Sequence, residues 1–402
     1  MLQDTFFDFS TLAQMYEADG ILAKIVDMPA EDAAGTGFDL VGISPAAADF
    51  FTAELDRLAW EDAAADAVRW QRLFGGAIII PGVDDGRRLT DPLDPDRVRR
   101  VDSLHVFSAA CARPNIDSQT GTAESFTVQT PGSSFTVDSS RALLFKSDTP
   151  PPEQAADDNA AFWGIPLFYR IRDALQNAAL SSGAPARILG TMGQSVLRVQ
   201  GLSAILSTAE GEAQLANRLA MLDAVRGLFS TLALDMTENY LTAPTPPALT
   251  ETAGIINSVW TALASVSGIP ARVLAGGVVL DSGSAIRAPF KKGADISSQQ
   301  QYQDYIRRIQ NLTLKKPLLQ LLHILTRAGL HAGQLSRAEP LHIRFRPLFP
   351  PSPMQEAENA LTAAETELTR ARRLQALVDS GVISGEEVRR HLKKRQRGNR
   401  TI

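Results

Sequence analysis

Apolar residues recur along this chain at two spacings, and the change from one to the other divides it. In the first part, Leu55, Leu58, Ala59, Val68 and Leu73 fall between acids and arginines at helical intervals, which predicts a helix over 53–74. The uninterrupted run Ala77-Ile78-Ile79-Ile80 instead predicts a buried strand, closed by Pro81-Gly82 and by a solvated turn at Asp84-Asp85-Gly86. Further strands are read at 103–107, 124–129 and 142–146, so this part predicts an α+β domain rather than a bundle. A proline- and acid-rich stretch over 147–158 reads as a surface linker.

Beyond it the pattern turns to long helices. Ile165, Phe168, Tyr169, Arg172, Leu175 and Ala179 share helical spacing, and Gly183 with Pro185 is expected to end that run. A compact insertion follows, with strands at 196–199 and 228–234 around a helix at 210–226. Pro244, Pro246 and Pro247 then break the chain before a helix whose Ile255, Ile256, Val259, Trp260 and Leu263 share a face. Gly268-Ile269-Pro270 stops it, and a glycine-rich polar loop carries Arg287, Lys291 and Lys292. Tyr302, Tyr305, Ile306, Ile309 and Leu312 mark another helix, which Pro317 is expected to kink or restart. Leu341 to Phe345 alternates as a strand. A last helical hairpin is read at 354–379 and 384–395, its second helix opened by a Ser384/Glu387 capping box.

Composition narrows the chemistry. A chain of 402 residues with 44% hydrophobic content can bury a substantial core. Forty lysines and arginines against 45 acids leave a formal charge of -5, which argues against a protein built to grip nucleic acid tightly. Cys111, the single cysteine, excludes an intramolecular disulfide and a cysteine zinc cluster, and is expected as a small buried hydrophobe. No signal-peptide pattern or membrane-length apolar run is present, so a soluble protein is expected.

Enzyme constellations are missing. No GxxxxGK[ST] phosphate loop, GxGxxG turn or HExxH pair occurs, and His105, His323, His331, His342 and His391 fall in no metal-ligand spacing. Asp281-Ser-Gly-Ser284 superficially matches a serine-protease nucleophile turn, but nothing locates a base with an orienting acid. No catalytic residue, cofactor or metal is expected.

Several segments, in order, resemble the portal proteins of tailed bacteriophages. They are Leu22-Ala-Lys-Ile-Val-Asp-Met-Pro-Ala-Glu-Asp32, Trp70 to Pro81, Ser140-Arg141 with Trp163-Gly-Ile-Pro166, and Val199-Gln-Gly-Leu202. Arg218 to Leu222, Leu232 to Asp235, Ser267 to Leu274 and Gly381 to Arg389 complete the series. The loop over 275–296 departs from the glycine pattern of that family.

The resemblance implies an α+β portal fold assembled as a ring. Its parts would be a wing (1–164), a stem helix (165–183), a small αβ clip (184–245), a second stem helix (246–270), a tunnel loop (271–296), a long wing helix (297–330), a wing strand (331–351) and a helical crown (352–402). It further implies a homo-oligomer, expected as a dodecamer, at one capsid vertex of the virion, assembled in the host cytoplasm. Expected partners are double-stranded DNA held without sequence preference, the major capsid protein, the terminase and neck or adaptor proteins. No membrane partner is expected.

Duplex DNA presents roughly one charge per ~1.7 Å of axis, so scattered cations on a mobile loop suit holding and release better than continuous pairing. Arg287, Lys291 and Lys292 are the expected tunnel-loop contacts, the alternative for the two lysines being a solvated turn. Lys393, Lys394, Arg395 and Arg397 read either as crown contacts to DNA or as a soluble tail. A cyclic interface joins two different faces of each subunit, and Val259, Trp260, Leu263, Tyr302, Tyr305, Ile306 and Ile309 are expected to contribute to it. Two rivals remain. A phosphoesterase related to the same family would need paired HxT or HxS motifs, and no histidine here has Ser or Thr two positions on. A different head-tail connector would usually be shorter and lack a clip between stem helices.

Overall fold

The computed structural model describes residues 8–117, 119–149, 158–192, 195–199, 202–226, 231–235, 249–274 and 292–349, with separate positions from 361 to 375. In chain order the elements begin with helices α1 (Phe9–Ala18) and α2 (Gly20–Gly35), strand β1 (Phe38–Val41), and helices α3 (Pro45–Arg57) and α4 (Trp60–Phe74). Strands β2 (Gly76–Asp84), β3 (Arg100–Ser108), β4 (Ala112–Ile116), β5 (Ala123–Thr130), β6 (Ser133–Asp138) and β7 (Leu143–Lys146) follow. Next come α5 (Asp158–Trp163), α6 (Leu167–Met192), β8 (Ser195–Val199), α7 (Leu202–Leu206), α8 (Ala209–Arg226) and β9 (Thr231–Asp235). The last are α9 (Leu249–Ser267), α10 (Ala271–Leu274), α11 (Lys292–Ile309), a π-helical turn (Gln310–Leu314), α12 (Lys315–His331) and β10 (His342–Phe345). They fall into two compact units, Met1–Tyr169 with Ile296–Ile402, and Arg170–Asp295. Mixed helix and small sheets make the chain α+β, as expected.

The first unit is organised by β2, which pairs antiparallel with β3 on one side and β7 on the other. Helices α4 and α12 both pack against this sheet, so Ala77 to Ile80 are buried and read as a continuous apolar run. The strand does not close at Pro81. Strand β7 pairs only with Gly76 to Ile79, so Pro81 lies where one side of β2 is an edge and its missing N–H costs no ladder bond. A second antiparallel sheet, β4-β5-β6, and a ribbon of β1 with β10 complete the unit. Strand β10 thus returns to the first unit through Ile343, paired with Leu40.

The helix expected over 53–74 is broken at Ala59, the one non-glycine at positive φ (48°) among the described residues. A left-handed alanine costs roughly 1–2 kcal/mol, and here the break lets both flanking residues, Leu58 and Trp60, be buried. Packing overrides the local preference.

Three glycines surround Trp163, which is 1% exposed. A Cβ on Gly76 would stand 2.2 Å from the indole, one on Gly75 2.4 Å from the Gly164 carbonyl, and one on Gly164 2.7 Å from the Ser147 carbonyl. Gly75 and Gly164 also hold φ of 86° and 103°. The indole Nε1 donates to the Ala112 carbonyl at 3.1 Å, and Phe126 and Phe162 pack on the ring. Trp163 therefore ties α5 and the root of α6 to both sheets.

Asp85 is no solvated turn residue. Its side chain is wholly buried and receives Arg141 Nη2 at 2.6 Å and Nη1 at 3.3 Å, with the Arg87 and Asp94 amides also donating to it. Arg141 Nε donates to the Asp91 carbonyl at 2.7 Å, so one buried ion pair closes the whole loop between β2 and β3. Burial alone would raise the Asp85 carboxyl, but the Arg141 and amide hydrogen bonds outweigh it and hold it below the ordinary value.

In the second unit α6 continues through Gly183 and Pro185 to Met192 instead of stopping. A proline inside a helix removes one backbone bond and bends the axis without necessarily ending it. Strands β8 and β9 pair parallel, joined through α7 and α8, which is the small αβ insertion expected there. Helix α9 ends as expected: Gly268, at φ 75°, donates its N–H to the Ala264 carbonyl at 3.0 Å, and Pro270 starts the short α10.

Substituting Gly76→Ala or Gly164→Ala is expected to lower unfolding free energy by about 2 kcal/mol or more, measured by chemical denaturation. Arg141→Met, which strands the Asp85 charge, is expected to cost about 3–5 kcal/mol. Because the folded Asp85 carboxyl lies below its unfolded value, its contribution is present above the unfolded pKa and is lost as pH falls through the folded one. Asp85→Asn should accordingly flatten the acid limb of the stability profile, and an unchanged limb would refute the assignment.

Candidate functional site

The residues expected at a subunit interface divide into two sets. Tyr302 is 2% exposed and Ile306 is 1% exposed, both buried within the chain itself. The Tyr302 hydroxyl donates to Asp32 Oδ2 at 2.6 Å, tying α11 to α2. Tyr305 is half-buried, and its hydroxyl accepts from Arg72 Nη1 at 2.7 Å while the guanidinium lies 5.8 Å from its ring centroid. One turn on, buried Gln310 donates to the Ala33 carbonyl and to Thr36 Oγ1. The expectation that Tyr302 and Ile306 face a neighbouring subunit is thus corrected. Apolar burial against α2 and α4 already uses them, and only Tyr305 and Ile309 keep part of that stripe open.

Arg72 is the residue that sequence reasoning missed. It is 7% exposed, donates from Nη2 to the Ile25 carbonyl at 2.8 Å, and its Nε has no hydrogen-bond partner among the described residues. The signal was available: Ala64, Val68 and Arg72 are spaced by four, so the arginine continues a buried apolar stripe of α4. A second network lies beside it. Arg69 pairs with Asp27 at 2.8 Å, with Glu31 at 3.0 Å and with Asp66, and the Tyr16 hydroxyl donates to the same Asp27 at 2.8 Å. Burial first, then the Asp27 hydrogen bond and charge, pushes the Tyr16 phenol up to about 12. Burial and Asp32 raise Tyr302 further still.

Pro317 does not stop the long helix. Lys315 N–H reaches back five residues to the Gln310 carbonyl, and this wide turn precedes the proline, which cannot donate a bond of its own. The turn also rotates Leu312 off the expected stripe, leaving it 70% exposed.

In the second unit Leu263 is 0% exposed, so it too is covered within the chain and not free for a neighbour. Val259 and Trp260 are half-buried. A different stripe is open: Ile255 (59% exposed), Val259, Ala262 and Val266 (45% exposed) fall at intervals of four, three and four on α9. Apolar residues on both stripes make this helix hydrophobic nearly all round, and one side meets solvent.

Of the expected DNA contacts, Arg287, Lys291, Lys393, Lys394, Arg395 and Arg397 lie outside the described residues, as do the Ser384/Glu387 cap and most of the C-terminal hairpin. Lys292 does not sit in a loop but opens α11, since nothing from Gly293 to Ile309 interrupts a helix. His105, His323, His331 and His342 are all exposed, and among the described residues no group of three His, Cys, Asp or Glu could hold a metal ion. Among them, too, no helix is long and apolar enough to cross a membrane.

A family model described as Phage portal protein matches residues 10–368. Two curated relatives are both named Anti-CBASS protein Acb1. The one from Sphingomonas paeninsulae is 28% identical over 51% of this chain and 34% of its own length; that from Caulobacter sp. (strain RHG1) is 26% identical over 42% of this chain and 28% of its own. The chain spans about a third of the length of these relatives. A solved chain from the virion of a native gene transfer agent particle aligns over 90% of both chains, with 13% identity and a TM-score of 0.44.

Spectrophotometric alkaline titration is expected to find Tyr16 and Tyr302 still protonated when exposed phenols have ionised. Tyr305→Phe should lower stability by about 1–2 kcal/mol, because Arg72 then loses a buried acceptor. Normal ionisation of all five tyrosines in the folded chain would contradict this network.

Proposed function

The chain belongs to the phage portal protein family, and from that premise we propose that it acts as a ring subunit conducting double-stranded DNA through one vertex of a capsid. The ring, read as a dodecamer, would pass DNA during packaging and ejection, with the insertion around β8 and β9 towards the terminase and later the neck proteins, and the first unit towards the capsid shell. The protein works in this reading as a conduit and docking platform, not as an enzyme.

The observation that carries it is the family match over residues 10–368, reinforced by the open apolar stripe on α9. Ile255 and Val266 are large hydrophobes facing solvent on a long helix, and a heterologous contact with the next copy would cover them. The chain's charge of -5 suits a channel that encloses a polyanion without gripping it, with Arg287, Lys291 and Lys292 before and at the start of α11, and Lys393, Lys394, Arg395 and Arg397 near the C-terminus, as intermittent phosphate contacts. The Acb1 relatives raise an enzymatic reading. It finds little support here, because the chain spans a third of their length and its histidines lack paired HxT or HxS spacing.

Negative-stain images of the purified protein are expected to contain rings with a central hole. Ile255→Asp with Val266→Asp should shift the assembly towards a folded species near the 43.4 kDa chain mass, read by light scattering and circular dichroism. A wild-type protein that stays a folded monomer at micromolar concentration would sink this reading.

A further inference from the structure

Strand β7 ends in Lys146, whose ammonium Nζ lies 3.3 Å from the centroid of the Phe162 ring. The strand packs against α12 and the π-helical turn, and Lys316 in the first turn of α12 comes near enough for its charge to act on Lys146. Neither lysine has a carboxylate at ion-pair distance among the described residues. The surroundings offer none: β2 faces β7 with Gly76 to Ile79, α4 contributes Gln71, and α12 adds Lys315. Gln71 itself is occupied, donating to the Lys146 carbonyl and to Ser147 Oγ. Burial first, then the Lys316 charge, pushes Lys146 down to about 8.

Two cations brought together without a counterion repel, and the fold holds them there nonetheless. A single carboxylate would neutralise one of them. A tetrahedral oxyanion with charge approaching two offers an oxygen to each, while the Phe162 ring shields one side from water and strengthens the attraction. We propose that the Lys146–Lys316 pair, backed by Phe162, is a binding site for a phosphate-type oxyanion. The source is either free phosphate or a phosphodiester of a nucleic-acid backbone, which share this chemistry. The site is separate from the loop and C-terminal cations assigned to DNA above, and it stands whether or not copies of the chain form a ring.

The full chain, its lysines reductively methylated with a 13C label, gives one resonance for Lys146, assigned by its absence in Lys146→Arg. Inorganic phosphate is expected to move that resonance saturably, more than those of other exposed lysines. Lys316→Gln should have two opposite effects: Lys146 takes up its proton at higher pH, and phosphate binds about tenfold more weakly. Circular dichroism checks that the variant folds. A short DNA duplex that displaces phosphate at this resonance supports the site and identifies the backbone as the source; phosphate binding that the duplex leaves untouched supports it with free phosphate as the source. A Lys146 response no larger than that of other lysines overturns the proposal, and so does a Lys316→Gln variant whose Lys146 titration moves while its phosphate affinity does not.

Discussion

Trp163 must occupy the space that a side chain at position 76 would fill, and the first unit is arranged around that demand. The indole can enter only because β2 begins with glycine. Once seated, it donates to a carbonyl of β4, stacks on Phe126 of β5 and leaves its own carbonyl to accept from Ser147. Gly164 then turns the chain into α6 through a backbone conformation that other residues adopt only under strain. The two sheets and the helix leading to the second unit are thereby fixed by one buried ring, whose full burial carries several kcal/mol of stabilisation by the usual cost of deleting such a residue.

Polar burial supplies the rest of the register. Asp85 with Arg141 closes the loop between β2 and β3, while Arg72, Tyr305, Tyr302 and Asp32 join α4, α11 and α2. Neither set is a site for chemistry. Each specifies position, because a buried charge or hydroxyl is tolerated only where its donors and acceptors are met, and a slip of one helical turn would leave them stranded. A chain whose family role is structural gains from such constraints: they hold surfaces in place without asking those surfaces to react.

The helical periodicity, the apolar run at Ala77 to Ile80, the stop at Gly268 to Pro270 and the order of the αβ insertion were legible because each rests on local rules, namely spacing, turn chemistry and strand composition. The ordered motifs resembling portal proteins were legible for the same reason, and the family match bears them out. Local rules went astray where packing or backbone detail intervened. Ala59 breaks a helix that its neighbours favour, Pro185 fails to end one, and a π turn before Pro317 carries α11 into α12 while turning Leu312 outward.

Which residues of an apolar stripe face inward and which face out was beyond the sequence. Tyr302, Ile306 and Leu263 looked equivalent to Ile255 and Val266, since periodicity defines a face but not what covers it. Pairings across long separations were hidden likewise: Asp85 with Arg141, Arg72 with Tyr305, and Lys146 beside Lys316. Burial and charge proximity belong to the three-dimensional neighbourhood, and only the tertiary structure brings such distant side chains within reach of one another.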